Sequence, residues 1–235
     1  MTIRVKDMKV TSSWSGGKDS CLACYQAMLK GYKVSVLLNF ISKEYKRCCF
    51  HGIDSQLMSL QAKAIGIPLI QREVSADMGE YEKEFKNAVN ELKRYGIEGM
   101  VFGDVYLEEH KSWVERVCRE LGIVPIEPLW NIKPEEIIRD FINSGFKAVV
   151  VSAKADLFME KDIGREVDKN FLGDLIERKI CPCGENGEFH TFVYDGPIFK
   201  KRIEILETEK ILREGFWKHW YLDVRKWKLR DKLIG

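Results

Sequence analysis

Six residues near the start of the chain have types and spacing suited to binding an anion. They are Ser15, Gly16, Gly17, Lys18, Asp19 and Ser20. The two glycines let the backbone approach an anion closely, the serines offer hydroxyl groups, and the lysine adds a positive charge. We call these six residues the glycine loop.

The flanking segments place the glycine loop between a strand and a helix. Residues 8–14 are short, β-leaning and bounded by glycines, which predicts a buried strand. Leu22, Gln26 and Leu29 then recur at helical spacing, and Gly31 follows as a C-cap. Such a strand–turn–helix unit aims backbone N–H groups and the positive end of a helix dipole at one point.

The loop differs from the common nucleotide-binding motifs. A Walker loop requires Gly-Lys-Ser/Thr, whereas Asp19 follows Lys18 here and no glycine lies at the required distance upstream. A dinucleotide GxGxxG fingerprint is also absent from the sequence. An ordinary strand-to-helix turn is the alternative, because Gly-Gly and Asp-Ser are common in turns.

The middle of the chain alternates strands with helices, which predicts an α/β fold with a doubly wound, mostly parallel sheet. The predicted strands are residues 8–14, 34–40, 67–70, 99–104, 123–126 and 148–151. Ligands bind beyond the carboxyl ends of such strands. We therefore expect the glycine loop, Asn39 at the end of the second strand, and Gly103-Asp104 after the fourth to lie along one edge.

The pattern changes beyond about residue 179. Two β-like segments, residues 188–194 and 198–205, flank Asp195-Gly196-Pro197, a strong turn signal. Residues 217–225 alternate in the same manner. We predict an α/β domain over residues 1–178 and a small antiparallel β appendage over residues 179–235.

Composition narrows the functional classes. A chain of 235 residues with 45% hydrophobic content can bury a substantial core. It shows no apolar run of the ~20 residues that a membrane span needs and no signal peptide, which predicts a cytoplasmic protein. The net charge of +2 gives no reason to expect binding of long nucleic acids by charge.

The seven cysteines are expected to be reduced thiols. Cys21 and Cys24 lie on the helix after the loop, where small core-facing residues are the simpler interpretation. Two clusters could hold a metal, although neither has paired zinc-ribbon spacing. The clusters are Cys48, Cys49 and His51, and Cys181 with Cys183.

Several segments together resemble one enzyme family. The glycine loop resembles the pyrophosphate loop, Ser-Gly-Gly-x-Asp-Ser, of the N-type ATP pyrophosphatases. Residues 102–105, 114–118, 128–130 and 183–197 narrow the resemblance to the diphthine–ammonia ligase family in its short archaeal form, over about residues 9–205. The resemblance implies an adenine nucleotide alpha hydrolase-like fold of the HUP type.

The resemblance implies an ATP-dependent ligase. Enzymes of this kind adenylate the diphthine carboxylate of translation elongation factor 2 and amidate it with ammonia, releasing AMP and pyrophosphate. ATP and Mg²⁺ are the implied cofactors, and the diphthine-bearing factor and ammonium are the implied partners; whether the chain forms a homodimer stays open. The implied nucleotide-binding residues are the six of the glycine loop with Asn39, Gly103 and Asp104.

Three roles are implied for residues in the chemistry. Lys18 and the loop N–H groups would stabilise the departing pyrophosphate. Asp19 would hold Mg²⁺, with capping of the following helix as the alternative. Glu185, Glu188 and His190 are three titratable groups in six residues, and one of them would act as a base. A polar hairpin with a solvent-facing histidine is the other interpretation of this segment.

Three other functions stay open at this point. A tRNA-modifying adenylating enzyme could share the loop, and so could a ligase for a small-molecule carboxylate. A non-catalytic ATP or AMP sensor would bind the nucleotide without turnover. The residues alone do not identify the acceptor.

Overall fold

The computed structural model describes residues 7–44, 47–48, 52–75, 77–214 and 218–232. The strands are β1 (Lys9–Ser13), β2 (Lys33–Ser42), β3 (Leu69–Val74), β4 (Gly99–Val101), β5 (Val124–Ile126), β6 (Lys147–Lys154), β7 (Phe189–Asp195), β8 (Lys201–Glu214) and β9 (Lys218–Asp231). The helices are α1 (Lys18–Leu29), α2 (Ser55–Ile65), α3 (Met78–Lys93), α4 (Glu108–Leu121), α5 (Pro134–Asn143) and α6 (Lys169–Glu177).

A five-stranded parallel sheet forms the first of two units. This unit comprises Met1–Ser15, Asp19–Cys49 and Ile67–Asn131. Its strands lie in the order β3-β2-β1-β4-β5 and all pair in parallel. The strand order reverses direction at β1, so the carboxyl ends of β1 and β4 flank the topological switch point.

Aromatic side chains fill the core of the first unit. Phe85 on α3 stacks on Phe40 of β2 at a centroid distance of 5.8 Å and meets the edge of Trp113 at 5.0 Å. Val89, Val117 and other apolar residues of α3 and α4 complete the cluster. These helices carry their apolar residues at a spacing of three or four, which buries one face of each helix.

A four-stranded antiparallel sheet dominates the second unit. This unit comprises Gly16–Lys18, Phe50–Gly66 and Ile132–Gly235, and its strand order is β7-β6-β9-β8. Strands β8 and β9 form a hairpin of two 14-residue strands. In its core, Phe141 stacks on Phe146 at 5.0 Å, and Phe189 lies 5.4 Å from Phe171.

The predicted fold class is confirmed, because a parallel α/β sheet and a C-terminal antiparallel sheet are both present. One expected placement is wrong. The sixth predicted strand, residues 148–151, lies in β6, which pairs antiparallel with β7 and β9. A short run of valines fits a buried strand in either kind of sheet, so the pattern could not distinguish them. The domain boundary at residues 178 and 179 stays a prediction. None of the helices in the described ranges has the length and hydropathy that a membrane crossing requires.

Candidate active site

The glycine at position 16 is required by both conformation and space. Gly16 has φ of +75°, a left-handed conformation that side chains disfavour. A Cβ atom there would lie 2.8 Å from both Oε1 of Gln61 and Sδ of Met58. Helix α1 then begins at Lys18, two residues later. The tight turn expected before the helix is therefore present.

A buried glutamine fixes this turn. The carbonyl of Gly16 accepts hydrogen bonds from Nε2 of Gln61 and from the N–H of Val193, both at 3.0 Å. The same Nε2 donates to the carbonyl of Val193 at 2.6 Å, and Gln61 is fully buried. Sequence reasoning missed Gln61. The available signal is a polar residue within the buried stripe of α2, beside Met58 and Ala62.

Lys18 is buried among residues 183–193, which we call the C-terminal motif. Its backbone N–H donates to Oγ1 of Thr191 at 3.0 Å, and its Nζ donates to the carbonyl of Cys183. The Nζ atom also lies 4.9 Å from the centroid of the Phe189 ring. These contacts bring Gly16–Lys18 and the C-terminal motif together within the second unit. A role for Lys18 on pyrophosphate stays a prediction.

The remaining loop side chains belong to the first unit. Ser15 donates a hydrogen bond to Ser20 at 3.2 Å. Asp19 is the second residue of α1, so it does not occupy the N-cap position that the capping alternative assumed. At Gly103 a Cβ atom would lie 3.0 Å from the backbone of Asp19 and Ser20. Gly103 therefore permits a close approach of two backbones.

A cluster of charged side chains follows β4 and β5. Oδ1 of Asp104 lies 3.0 Å from Nδ1 of His110. Burial raises the pKa of Glu127, the negative charge of Asp104 raises it further, and Lys111 opposes the shift. Nζ of Lys111 lies 4.5 Å from the ring centroid of Trp130. Sequence reasoning missed His110 and Glu127, although Glu127 directly follows β5.

Asn39 differs from its expected position. Strand β2 continues to Ser42, so Asn39 lies inside the strand rather than at its end. Its buried Nδ2 donates to the carbonyl of Trp14 at 2.8 Å, and its Oδ1 accepts from Gln71 at 3.1 Å. The amide therefore holds the chain just before the glycine loop. Contact with a nucleotide stays a prediction.

The C-terminal motif is a tight turn that leads into β7. Gly184 has φ of +67°, and a Cβ atom there would lie 2.7 Å from the carbonyl of Phe189. The buried carboxylate of Glu188 accepts hydrogen bonds from the N–H and Nδ2 of Asn186, at 2.9 and 3.0 Å. Because side chains alternate along a strand, half-buried His190 faces away from Phe189 and Thr191.

Glu185 is half-buried in the same turn. The second unit therefore brings Lys18 and the motif backbone together, while His190 lies on the other face of β7. The catalytic roles of Lys18, Glu185, Glu188 and His190 stay predictions.

No disulfide bond joins the cysteines that the structure describes. Burial raises the pKa of Cys24 to about 12 and that of Cys21 well above its ordinary value, so both stay protonated at neutral pH. Within the described ranges, no group of three histidine, cysteine or acidic side chains could hold a metal. Cys49 and His51 lie outside the described residues.

The fold and the loop define a class. The first strand of the parallel sheet leads through a glycine turn into a helix that begins with Lys-Asp-Ser. This arrangement is typical of α/β nucleotide-binding domains. Within the second unit, the turn at Gly16–Lys18 contacts residues 183–193.

Family comparisons identify the class more closely. The diphthamide synthase N-terminal domain model matches residues 8–125, and the diphthamide synthase C-terminal domain model matches residues 133–229. The chain belongs to the diphthamide synthase family. The resemblance found from the motifs is confirmed.

Individual relatives agree over nearly the full length. The chain is 28% identical to the diphthine–ammonia ligases of Bos taurus and Homo sapiens over 251 residues. Both alignments cover 96% of this chain and 94% of the relative. The diphthine–ammonia ligase of Schizosaccharomyces pombe is 27% identical over 87% of this chain, which covers 37% of that longer protein. A predicted tRNA methyltransferase subunit from Methanocaldococcus jannaschii matches 81% of this chain at 16% identity with a TM-score of 0.43, too low to inform function.

Proposed function

We propose that this protein is an ATP-dependent, AMP-forming ligase that amidates the diphthine side chain of translation elongation factor 2 with ammonia. The similarity to diphthine–ammonia ligases over 96% of the chain supports the reaction. The observation that carries the proposal is the direct contact of the glycine loop with the C-terminal motif. Lys18 N–H donates to Thr191, and Val193 N–H donates to Gly16. We infer that the protein works in the cytoplasm, where the elongation factor acts.

The loop would bind the phosphates of ATP, which supplies the AMP leaving group that makes the acceptor carboxylate reactive. The N-terminal end of α1 contributes a positive dipole beside the glycine turn. Nε2 of the buried Gln61 donates a hydrogen bond to the Gly16 carbonyl. This contact keeps the turn in one conformation, which favours preorganised stabilisation of phosphate charge.

Lys18 would act from a buried position. Its Nζ is held by the carbonyl of Cys183 and lies over the Phe189 ring. A lysine that is 3% exposed has lost most of its hydration, so an anion that reaches it interacts more strongly than in water. We propose that Lys18 stabilises charge on the departing pyrophosphate and also fixes the C-terminal motif beside the loop.

Asp19 is the residue we propose for Mg²⁺. Its half-buried carboxylate follows the glycine turn by two residues. Mg²⁺ is commonly held by one or two carboxylates, with phosphate oxygens and water completing the shell. The side chains therefore fit an ion that arrives with ATP.

The C-terminal motif would handle the acceptor and the ammonium proton. Both oxygens of Glu188 accept hydrogen bonds from Asn186, which suits a positioning role in the turn. An imidazole can take up a proton near neutral pH. We propose His190 as the group that deprotonates ammonium, with Glu185 orienting the acceptor.

The experiment measures AMP and pyrophosphate release from ATP with Mg²⁺ and ammonium. It is run with diphthine-bearing elongation factor 2 and with the unmodified factor. We expect release only with the diphthine form, and a loss of about 100-fold in Asp19→Ala and about tenfold or more in His190→Gln. ATP binding without AMP release in any arm would refute the ligase and favour a nucleotide sensor.

A further inference from the structure

One face of the second sheet carries a row of basic side chains that leads to the C-terminal motif. The register of β6, β9 and β8 places Lys154 opposite His219, and His219 opposite Arg213. Residues directly opposite each other on antiparallel strands share a face. We call Lys154, His219 and Arg213 the basic row.

The basic row is tied to the motif at one end. Nζ of Lys154 donates to the carbonyl of Asn186 at 2.9 Å, and the N–H of Lys154 donates to the carbonyl of Glu188. Since Asn186 occupies both oxygens of Glu188, this carboxylate already has partners within the turn. Because Lys154 contacts Asn186, an anion on the basic row would lie next to the residues that we propose to act on the acceptor.

A second set of opposed residues lies beside the basic row on the same face of the sheet. Ser152 lies opposite both His190 and Tyr221, one step along the same face. The Tyr221 ring lies 6.1 Å from the His219 ring, and the guanidinium of Arg213 lies 5.6 Å from the Tyr221 centroid. Stacking on an aromatic ring limits the conformations of an arginine, so less entropy is lost when it binds a carboxylate.

Arg213 differs from most basic residues of the hairpin in its ion pairing. Most basic residues of the hairpin pair with a carboxylate of the same hairpin, as the pairs Lys201–Asp231, Glu204–Arg230, Glu207–Lys226, Glu209–Arg225 and Glu214–Lys218 show. Among the residues that the structure describes, no carboxylate pairs with Arg213, which is exposed. Its charge is thus available to an external anion.

We propose that the basic row docks an acidic peptide segment of the protein substrate and holds it beside residues 183–193. This inference rests on the proposed function. Charge complementarity selects a carboxylate-bearing chain. RNA is disfavoured because carboxylates pair with most of the neighbouring cations of the described hairpin, whereas a phosphate backbone binds best to many available cations.

The test measures the dissociation constant of diphthine-bearing elongation factor 2 for the protein without ATP, together with AMP release. We expect Arg213→Glu to weaken binding about tenfold or more and to raise the KM for the factor, while the KM for ATP is unchanged. Arg230→Glu is the matched control, because Arg230 lies on the same hairpin about 36 Å from His219 and pairs with Glu204. It should bind the factor like the wild type.

The two proposals fail in different ways. Wild-type protein that binds the factor but releases no AMP refutes the ligase alone, and the binding comparison still decides the docking surface. Wild-type affinity in Arg213→Glu overturns the docking surface, as does a wild-type protein that does not bind the factor. Competition by RNA but not by a glutamate-rich peptide would also overturn it.

Discussion

The buried amide of Gln61 gives a direct test of how the glycine loop is held. In Gln61→Leu the side chain keeps a similar volume but loses its donor. Two hydrogen bonds disappear, to the carbonyls of Gly16 at 3.0 Å and Val193 at 2.6 Å. A typical hydrogen bond contributes about 0.5–1.5 kcal/mol, so unfolding should become easier by about 1–3 kcal/mol. The Gly16 carbonyl keeps its hydrogen bond from the N–H of Val193 in this variant.

The assay is urea unfolding followed by circular dichroism, with ATP affinity measured in parallel. Gln56→Leu is the control, because Gln56 lies on the same helix and is exposed, and it should change the unfolding free energy by less than about 0.5 kcal/mol. We expect Gln61→Leu also to weaken ATP binding, because the turn is less restricted. Equal stability of the two variants would refute the role assigned to Gln61.

Three further predictions concern glycine and charge. Gly16→Ala should destabilise the protein more than Gly145→Ala: both glycines have positive φ, but a Cβ atom meets nearby atoms only at Gly16, so thermal melts should separate the variants. Hydrogen bonds from Arg116 lower the pKa of Glu82, so this carboxylate stabilises the fold above its unfolded pKa of about 4.3. That contribution is lost as pH falls below this value, and Glu82→Gln should flatten the acid limb of the unfolding free energy; an unchanged limb would contradict the assignment. Burial raises the pKa of Glu127, which makes its charged form costly at neutral pH. Glu127→Gln should therefore raise the melting temperature at pH 7 but not at pH 3, and no difference between the two pH values would count against it.

The local structure of the loop could be predicted from the sequence because its signals are local. Two glycines after a β-leaning run and before helical spacing leave few conformations, and Gly16 does adopt a left-handed turn. The end of β2 was less predictable. The predicted strand ended at Phe40, whereas pairing with β3 continues through Ile41 to Ser42, since backbone hydrogen bonds do not depend on side-chain polarity. Asn39 therefore lies inside a strand.

Long-range contacts could not be predicted from the residue pattern of the sequence. Gln61 and Val193 are 132 residues apart in the sequence, and their hydrogen bond depends on how the whole second unit folds. The antiparallel pairing of β6 is similar, because its partners β7 and β9 come later in the chain. The motif was visible as a cluster of titratable groups, yet the commitment of Glu188 to Asn186 required the structure of the turn.

The most direct test of the ligase follows nitrogen from ammonium into the protein substrate. Diphthine-bearing elongation factor 2 is incubated with the wild-type protein, ATP, Mg²⁺ and ¹⁵N-labelled ammonium, and the modified peptide is examined by mass spectrometry. We expect one ¹⁵N atom in the former carboxyl group for each AMP released, and none with Asp19→Ala. AMP release without ¹⁵N in the factor would contradict the amidation, and the loop would then serve an adenylating enzyme with a different acceptor.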